Sequence, residues 1–212
     1  MNESYPPRQD YNFADSSIRL GNVNPDPVEQ FRQWYLEEES AGHGEPNRIA
    51  LATSTPDGIP SLRMVLLKLF GAEGFIFFTD YTSRKSKEIE SNPCVAILSH
   101  WPRLQRQVRI EGAVERTDRK LTEEYFNSRP RLSRAAASVS RQSSSMDSRE
   151  EFENQLHELS SGVNEIDCPP NWGGYCLRPV RFEFWQGQPG RVHDRVQYDL
   201  IGDSWSLSEL QP

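Results

Sequence analysis

Four short clusters in the chain combine cations with hydroxyl or imidazole groups at spacings that suit an anion. The first is Arg191-Val192-His193-Asp194-Arg195. If this run is a strand, side chains alternate, so Arg191, His193 and Arg195 share one face and Asp194 takes the other. Two guanidinium groups and an imidazole then form a surface for a phosphate or for negative charge developing in a reaction. The same pattern also describes an exposed, salt-bridged strand face; Trp185 nearby, able to carry a planar ligand, tips the balance toward a ligand.

The second cluster is Tyr125, Arg129 and Ser133. Tyr125 and Arg129 are four residues apart on one side of a predicted helix, and Ser133 follows one turn later, after Pro130 restarts the chain. That describes a phosphate pocket at a helix start, or equally a packed tyrosine beside a paired arginine. Third, Thr79, Ser83, Arg84 and Lys85 stand at a predicted helix N-terminus, where free N–H groups favour an anion and cations oppose the helix dipole. Fourth, Arg63 and Lys68 bracket the apolar run RMVLLK. Their odd separation puts them on opposite faces of a regular strand, so one ligand meets both only through a bulge or at a subunit junction.

The charge balance supports a small anion over a polyanion. The net charge of -7 disfavours nucleic acid and anionic membranes, which reward a basic face. Yet residues 101–141 hold ten Lys or Arg against five acids, a local +5 within an acidic chain. Cys94, Cys168 and Cys176 form no CxxC pair, and the four histidines have no HxxxH or HExxH spacing, so neither a disulfide framework nor a metal centre is expected. No apolar run approaches the roughly 18–20 residues of a membrane span, and residues 1–10 do not resemble a signal segment. A soluble, unexported, cytoplasmic protein is the expectation. No GxGxxG follows a strand and no GxxxxGK occurs, so any phosphate-bearing cofactor must be held by side chains and helix ends.

The elements that must position these residues follow from periodicity. Residues 1–25, polar and Pro-containing, are expected to form a mobile arm, and 26–212 a single domain. Asp26 and Pro27 start a helix with Val28, Phe31 and Tyr35 on one face, ending near Gly42. Strands are predicted at 49–54, 61–70 and 75–79. A short helix opens at Thr82 and closes at Asn92-Pro93, before strands at 95–100 and 105–115. In the latter, Val108 and Ile110 alternate with Arg109 and Glu111. Helices over 120–128, 130–139 and 149–159 precede strands at 174–186, 191–200 and around Trp205. Strands, then helices, then strands, without regular strand-helix alternation, predict a mainly β fold: a closed or nearly closed antiparallel barrel with peripheral helices.

Several motifs taken together resemble one family. RMVLLK (63–68), FFTDYTSRK (77–85), NP (92–93), RQVRIEG (106–112), YFNSRP (125–130), SRQSS (140–144), WGG (172–174) and EFWQG with RVHDR (183–195) occur in the order and spacing of pyridoxine 5′-phosphate oxidases. The resemblance runs from about Asp26 to Pro212. It implies an antiparallel FMN-binding split β-barrel, a homodimer with two FMN sites at the subunit interface. It also implies oxidation of pyridoxine or pyridoxamine 5′-phosphate to pyridoxal 5′-phosphate, by hydride transfer from C4′ to flavin N5 and reoxidation by O2 with release of H2O2. By position, Arg63, Met64, Val65, Leu66, Leu67, Lys68, Phe78, Thr79, Arg84, Lys85, Gln107, Gln142, Ser143, Trp185 and Arg195 would hold the flavin. Lys68, Tyr125, Arg129, Ser133, Arg191 and His193 would hold the substrate, with Arg191 and His193 beside the reacting carbon, and Arg8 and Tyr11 resemble lid residues.

The chain departs from the family in places. After Ser133 the usual pattern is Gln, then Gly-Ala-Trp; here Arg134, Ala135, Ala136, Ala137 and Ser138 stand. Glu209 takes a place the family usually gives to Arg. SVSRQS also resembles the sister oxidases of phenazine biosynthesis, whereas WGG and HDR favour the vitamin B6 enzymes. Two alternatives therefore stand beside the oxidase: a flavin oxidase of a reduced phenazine-like ring, and a flavin or pyridoxal-phosphate binding protein with little catalysis.

Overall fold

A computed structural model describes residues 17–42 and 44–212, so Arg8, Tyr11 and His43 lie outside the described residues. The elements run α1 (Pro27–Ser40), β1 (Arg48–Ser54), β2 (Pro60–Gly71), β3 (Gly74–Asp80), α2 (Arg84–Ser91), β4 (Cys94–Trp101), β5 (Arg106–Arg116), α3 (Arg119–Ser128), α4 (Arg131–Val139), α5 (Arg149–Ser161), β6 (Trp172–Gln186), β7 (Asp194–Ile201) and β8 (Ser204–Glu209). The strands are ordered β3-β2-β1-β4-β5-β6-β7-β8, and β6 pairs back onto β3. The result is a closed six-strand antiparallel barrel, which meets the expectation of a closed or nearly closed one, with β7 and β8 continuing the sheet. Among the described residues, no helix is long and apolar enough to cross a membrane.

Local chemistry accounts for most element ends. Asp26 caps α1 by accepting from the Val28 N–H at 2.8 Å, and Asp118 caps α3 through the Leu121 N–H at 2.7 Å. The buried stripe of α1 is Val28, Phe31 and Trp34, not Tyr35, which stays half-exposed. Trp34 sets its edge against Phe184 with ring centroids 5.3 Å apart, and the larger apolar ring takes the covered place. On β5, Val108 and Ile110 are fully buried while Arg109 is exposed, as alternation requires.

The described chain comprises two compact units, and several strands run through both. One unit comprises residues 50–96 and 112–179. Here β3 and β6 close the barrel in the register Phe75↔Leu177 to Asp80↔Trp172. Gly112 on β5 lies so near β6 that an added Cβ would sit 2.0 Å from the Arg178 carbonyl oxygen. Phe126, Ala135, Ile166 and Trp172 form a small core under α3 and α4. A bulge interrupts the β2–β3 register between Leu67 and Leu69, placing the extra residue at Lys68.

The other unit comprises residues up to 49, 97–111 and 180–212. Its core includes Phe31, Trp34, Phe182, Phe184, Val196 and Tyr198. Within the segment expected to be an arm, Ile18 is buried, its N–H donates to Asp194 Oδ2 at 3.3 Å, and the Leu20 N–H donates to Glu209 Oε1 at 3.1 Å. One local expectation fails here: no strand spans 191–195. Pro189–Arg191 forms a 3-10 turn in which Gly190 and Arg191 have φ of 66° and 63°, and β7 begins only at Asp194. Proline and glycine turn the chain before the strand starts, so alternation does not order Arg191 and His193 on a shared face with Arg195.

Candidate functional site

Unit 50–96/112–179 contains a cavity of about 910 Å³. Its lining includes Arg63, Met64, Val65, Leu66, Lys68, Phe78, Thr79, Arg84, Lys85, Tyr125, Arg129, Ser133, Gln142 and Ser143, and so unites three of the four clusters. Lys68 lines the same cavity as Arg63 despite their odd spacing: the bulge falls at Lys68, and β2 residues of both parities, Leu62 to Leu66, contribute to the wall. Leu67 does not line it; it is 3% exposed and belongs to the core.

At one part of the cavity, Arg63 is fixed by four acceptors. Its Nη1 donates to the Leu51 carbonyl at 3.1 Å and to Thr53 Oγ1 at 2.6 Å; its Nη2 donates to Ser61 Oγ and to Glu88 Oε2 at 3.3 Å. Arg84 Nε donates to Glu88 Oε1 at 2.8 Å, one turn along α2. Burial alone would raise the Glu88 pKa, but donors from Ser61, Thr53 and Arg84 outweigh it and hold the carboxyl at about 2. Glu88 therefore offsets part of the dipole penalty that two cations at the start of α2 incur.

Lys85 has a different environment. It is buried, and its Nζ donates to Thr79 Oγ1 at 3.0 Å, Ser83 Oγ at 3.1 Å and Gln142 Oε1 at 2.5 Å. These partners are all uncharged. Burial, then the charge of Arg63, lower its pKa to about 8, with Asp80 opposing. Gln142, which precedes the turn residue Ser143, also accepts from Thr79 Oγ1 at 3.0 Å, and its N–H reaches Asp80 Oδ2 at 3.4 Å. A segment some sixty residues distant in sequence thus completes the Lys85 shell.

Aromatic rings line another part of the cavity. Phe78 stacks on Tyr125 with centroids 4.1 Å apart and on Trp172 at 5.4 Å. The Arg129 guanidinium lies 4.7 Å from the Trp172 centroid, and Lys68 Nζ lies 5.9 Å from that of Tyr125. Arg129 Nη1 is buried and has no hydrogen-bond partner among the described residues. Burial lowers the Arg129 pKa, with Tyr125 and Cys168 opposing. A guanidinium stays charged even so, and a buried donor left open is costly unless a ligand accepts from it. This orphan donor, with cations and hydroxyls around it, fits a phosphate ester.

The remaining predicted residues, Gln107, Trp185, Arg191, His193 and Arg195, belong to the other unit. Trp185 and His193 rings are 4.5 Å apart, and His193 Nδ1 accepts from the Gln188 N–H at 3.1 Å. Burial, then Arg191, lower the His193 pKa, against a raising effect of Asp194. Arg195 Nε donates to Glu183 Oε1 at 2.8 Å, while Arg109 pairs with the other oxygen of Glu183 at 2.5 Å. Gln107 is half-buried on β5. Arg191 and Ser143 are two of the three non-glycine residues with positive φ among the described residues, and such strain concentrates at functional sites.

Sequence reasoning assigned no role to Trp172, Ser61, Asp80, Ala136, Ala137 or Phe152, all of which line the cavity. The WGG motif was the available signal for Trp172. Ala136 and Ala137 stand in the stretch that departs from the family, so that departure reaches the cavity wall. Ser138 turns back, its hydroxyl donating to the Arg134 carbonyl at 3.0 Å.

Residues 36–161 match the family model described as pyridoxamine 5′-phosphate oxidase, and residues 172–212 match the pyridoxine 5′-phosphate oxidase C-terminal dimerisation region. The chain is 50% identical over 202 residues to the pyridoxine/pyridoxamine 5′-phosphate oxidase of Rubrobacter xylanophilus, covering 94% of this chain and 93% of the other. It is 45% identical over 211 residues to that of Salinibacter ruber, covering 97% of each. Among solved structures, PhzG of Burkholderia lata 383 in complex with tetrahydrophenazine-1-carboxylic acid superposes with a TM-score of 0.88 at 29% identity, covering 91% of this chain and 95% of that one. A pyridoxamine 5′-phosphate oxidase-related, FMN-binding protein of Nostoc punctiforme shares the fold at a TM-score of 0.72 and 19% identity, covering 90% of this chain and all of that one.

Proposed function

The chain belongs to the pyridoxine/pyridoxamine 5′-phosphate oxidase family, and on that basis we propose that it oxidises pyridoxine or pyridoxamine 5′-phosphate to pyridoxal 5′-phosphate, with FMN as its flavin and O2 as the final acceptor, releasing H2O2. The observation that carries this reading is the orphan Nη1 of Arg129, buried in a cavity that also presents Arg63, Lys68, Arg84 and Lys85. Bound FMN supplies a two-electron hydride acceptor for the substrate C4′.

The protein's part is to bind and orient. Arg63, Arg84, Lys85, Thr79, Gln142 and Ser143 are assigned to FMN, with Met64, Val65, Leu66 and Phe78 as apolar lining. Lys68, Tyr125, Arg129 and Ser133 are assigned to the substrate phosphate, whose binding energy orients the reacting carbon. Arg191 and His193 are assigned to that carbon on the strength of the RVHDR motif. Because His193 Nδ1 accepts a backbone N–H, the proton of its neutral ring resides on Nε2. Segment 172–212, which matches a dimerisation region, also carries Trp185, Arg191, His193 and Arg195; this supports a homodimer with two FMN sites at the subunit interface. A cytoplasmic setting accompanies the reading, supported by three free cysteines.

The test is direct. FMN-loaded protein mixed with pyridoxine 5′-phosphate should bleach the flavin without oxygen, and in air should yield pyridoxal 5′-phosphate and peroxide in equal amounts. A yellow, dimeric sample that neither bleaches nor turns over would refute the proposal.

A further inference from the structure

Glu88 is an acid set directly behind the cations of an anion pocket. It is 5% exposed, does not line the cavity, and accepts from four donors: Thr53 Oγ1, Ser61 Oγ at 2.5 Å, Arg63 Nη2 at 3.3 Å and Arg84 Nε at 2.8 Å. Arg63 and Arg84 both line the cavity, one from β2 and one from α2. A single carboxylate therefore sets the direction of two arginines from separate elements. Ser61 reinforces the arrangement, because its hydroxyl donates to Glu88 and accepts from Arg63 Nη2. Thr53 does the same through Arg63 Nη1 at 2.6 Å.

Two effects of this carboxylate on a bound phosphate oppose each other. Its charge subtracts from the cationic field and, taken alone, weakens anion binding. Its hydrogen bonds remove rotamer freedom from two long side chains before the ligand arrives, and a donor already ordered loses less entropy on binding. The number of contacts converging on Glu88 indicates that ordering is the larger effect.

We propose that Glu88 is a positioning residue that aims Arg63 and Arg84 at the FMN phosphate, so that the pocket holds this phosphate more tightly with the carboxylate than without it. The proposal rests on the cofactor reading above, and the experiment separates the two. Apo protein is titrated with FMN and with riboflavin, which lacks the phosphate, following flavin fluorescence at about 0.15 M salt. Wild type should prefer FMN to riboflavin. Glu88→Gln, which keeps the shape and removes the charge, should lose about tenfold in FMN affinity and change riboflavin affinity less than about twofold. Ser61→Ala should show the same selective loss to a smaller degree, and it decides the matter if Glu88→Gln does not fold.

Equal or tighter FMN binding by Glu88→Gln would overturn the proposal in favour of simple charge attraction. An equal loss for FMN and riboflavin would overturn it in favour of general packing. Wild type that binds neither flavin would remove the cofactor reading itself, and this inference with it.

Discussion

Replacing Arg129 by Met should weaken catalysis without weakening the free protein. In the ligand-free chain Arg129 is a half-buried cation with one buried donor open, stacked beside Trp172 and Phe126 at 4.7 and 5.8 Å. Removing an unsatisfied buried donor relieves about 1–3 kcal/mol. Losing the two cation–π contacts costs about 0.5–2 kcal/mol, while the methionine retains apolar contact with the same rings. The two nearly cancel or favour the variant, so the apo Tm should stay level or rise by about 2–4 °C. With substrate the sign reverses. A charge-assisted bond to phosphate contributes about 1.5–3 kcal/mol, so kcat/KM for pyridoxine 5′-phosphate should fall on the order of 10- to 150-fold, mostly through KM. Thermal unfolding of the apo protein and steady-state peroxide release measure the two halves. A fall in apo Tm beyond about 5 °C with unchanged KM would show that Arg129 serves the fold, and the reasoning from its open donor would fail.

Lys85 titrates near 8 in the folded chain, below its ordinary value of 10.5, so the unfolded chain binds more protons between those limits and apo stability should rise with pH across that window. Paired denaturant melts at pH 7.5 and 10 should show the slope in wild type and its loss in Lys85→Met, while FMN affinity in wild type should decline as pH climbs through 8 because the protonated amine attracts the phosphate. Gly112→Ala would force a Cβ to 2.0 Å from the Arg178 carbonyl oxygen, and neither backbone can yield cheaply inside the sheet; calorimetry should show a loss of about 2 kcal/mol or more, some 4–8 °C in Tm. Asp194→Asn retains shape but weakens the acceptor shared by the Ile18 N–H, Arg19 Nη1 and Gln188 Nε2; hydrogen exchange should quicken at Ile18 first, and unchanged exchange there would contradict the role given to Asp194.

Among the described residues, local pattern places the α-helices and strands to within about three residues but misses the 3-10 turn at Pro189–Arg191, because alternation, capping and turn chemistry act over distances shorter than the elements themselves. Val108 and Ile110 are buried as their spacing demands, Asp26 caps α1, and Asn92-Pro93 follows the end of α2. Residue type likewise singles out Lys85, Tyr125 and Arg129, since few side chains can hold an anion. What escaped the sequence depends on contacts between distant segments. Alternation put Arg63 and Lys68 on opposite faces, yet both line one cavity, with a bulge at Lys68 in the barrel register. The same logic ordered Arg191 and His193 on a strand, but the turn at Pro189-Gly190 delays β7 until Asp194. Glu88 reads as an ordinary acid on a short helix, because nothing near it in the chain announces the hydroxyls of Thr53 and Ser61. Side-chain periods are set by the backbone of one element, whereas a partner for a buried charge is chosen by whichever strand the closing barrel brings alongside it.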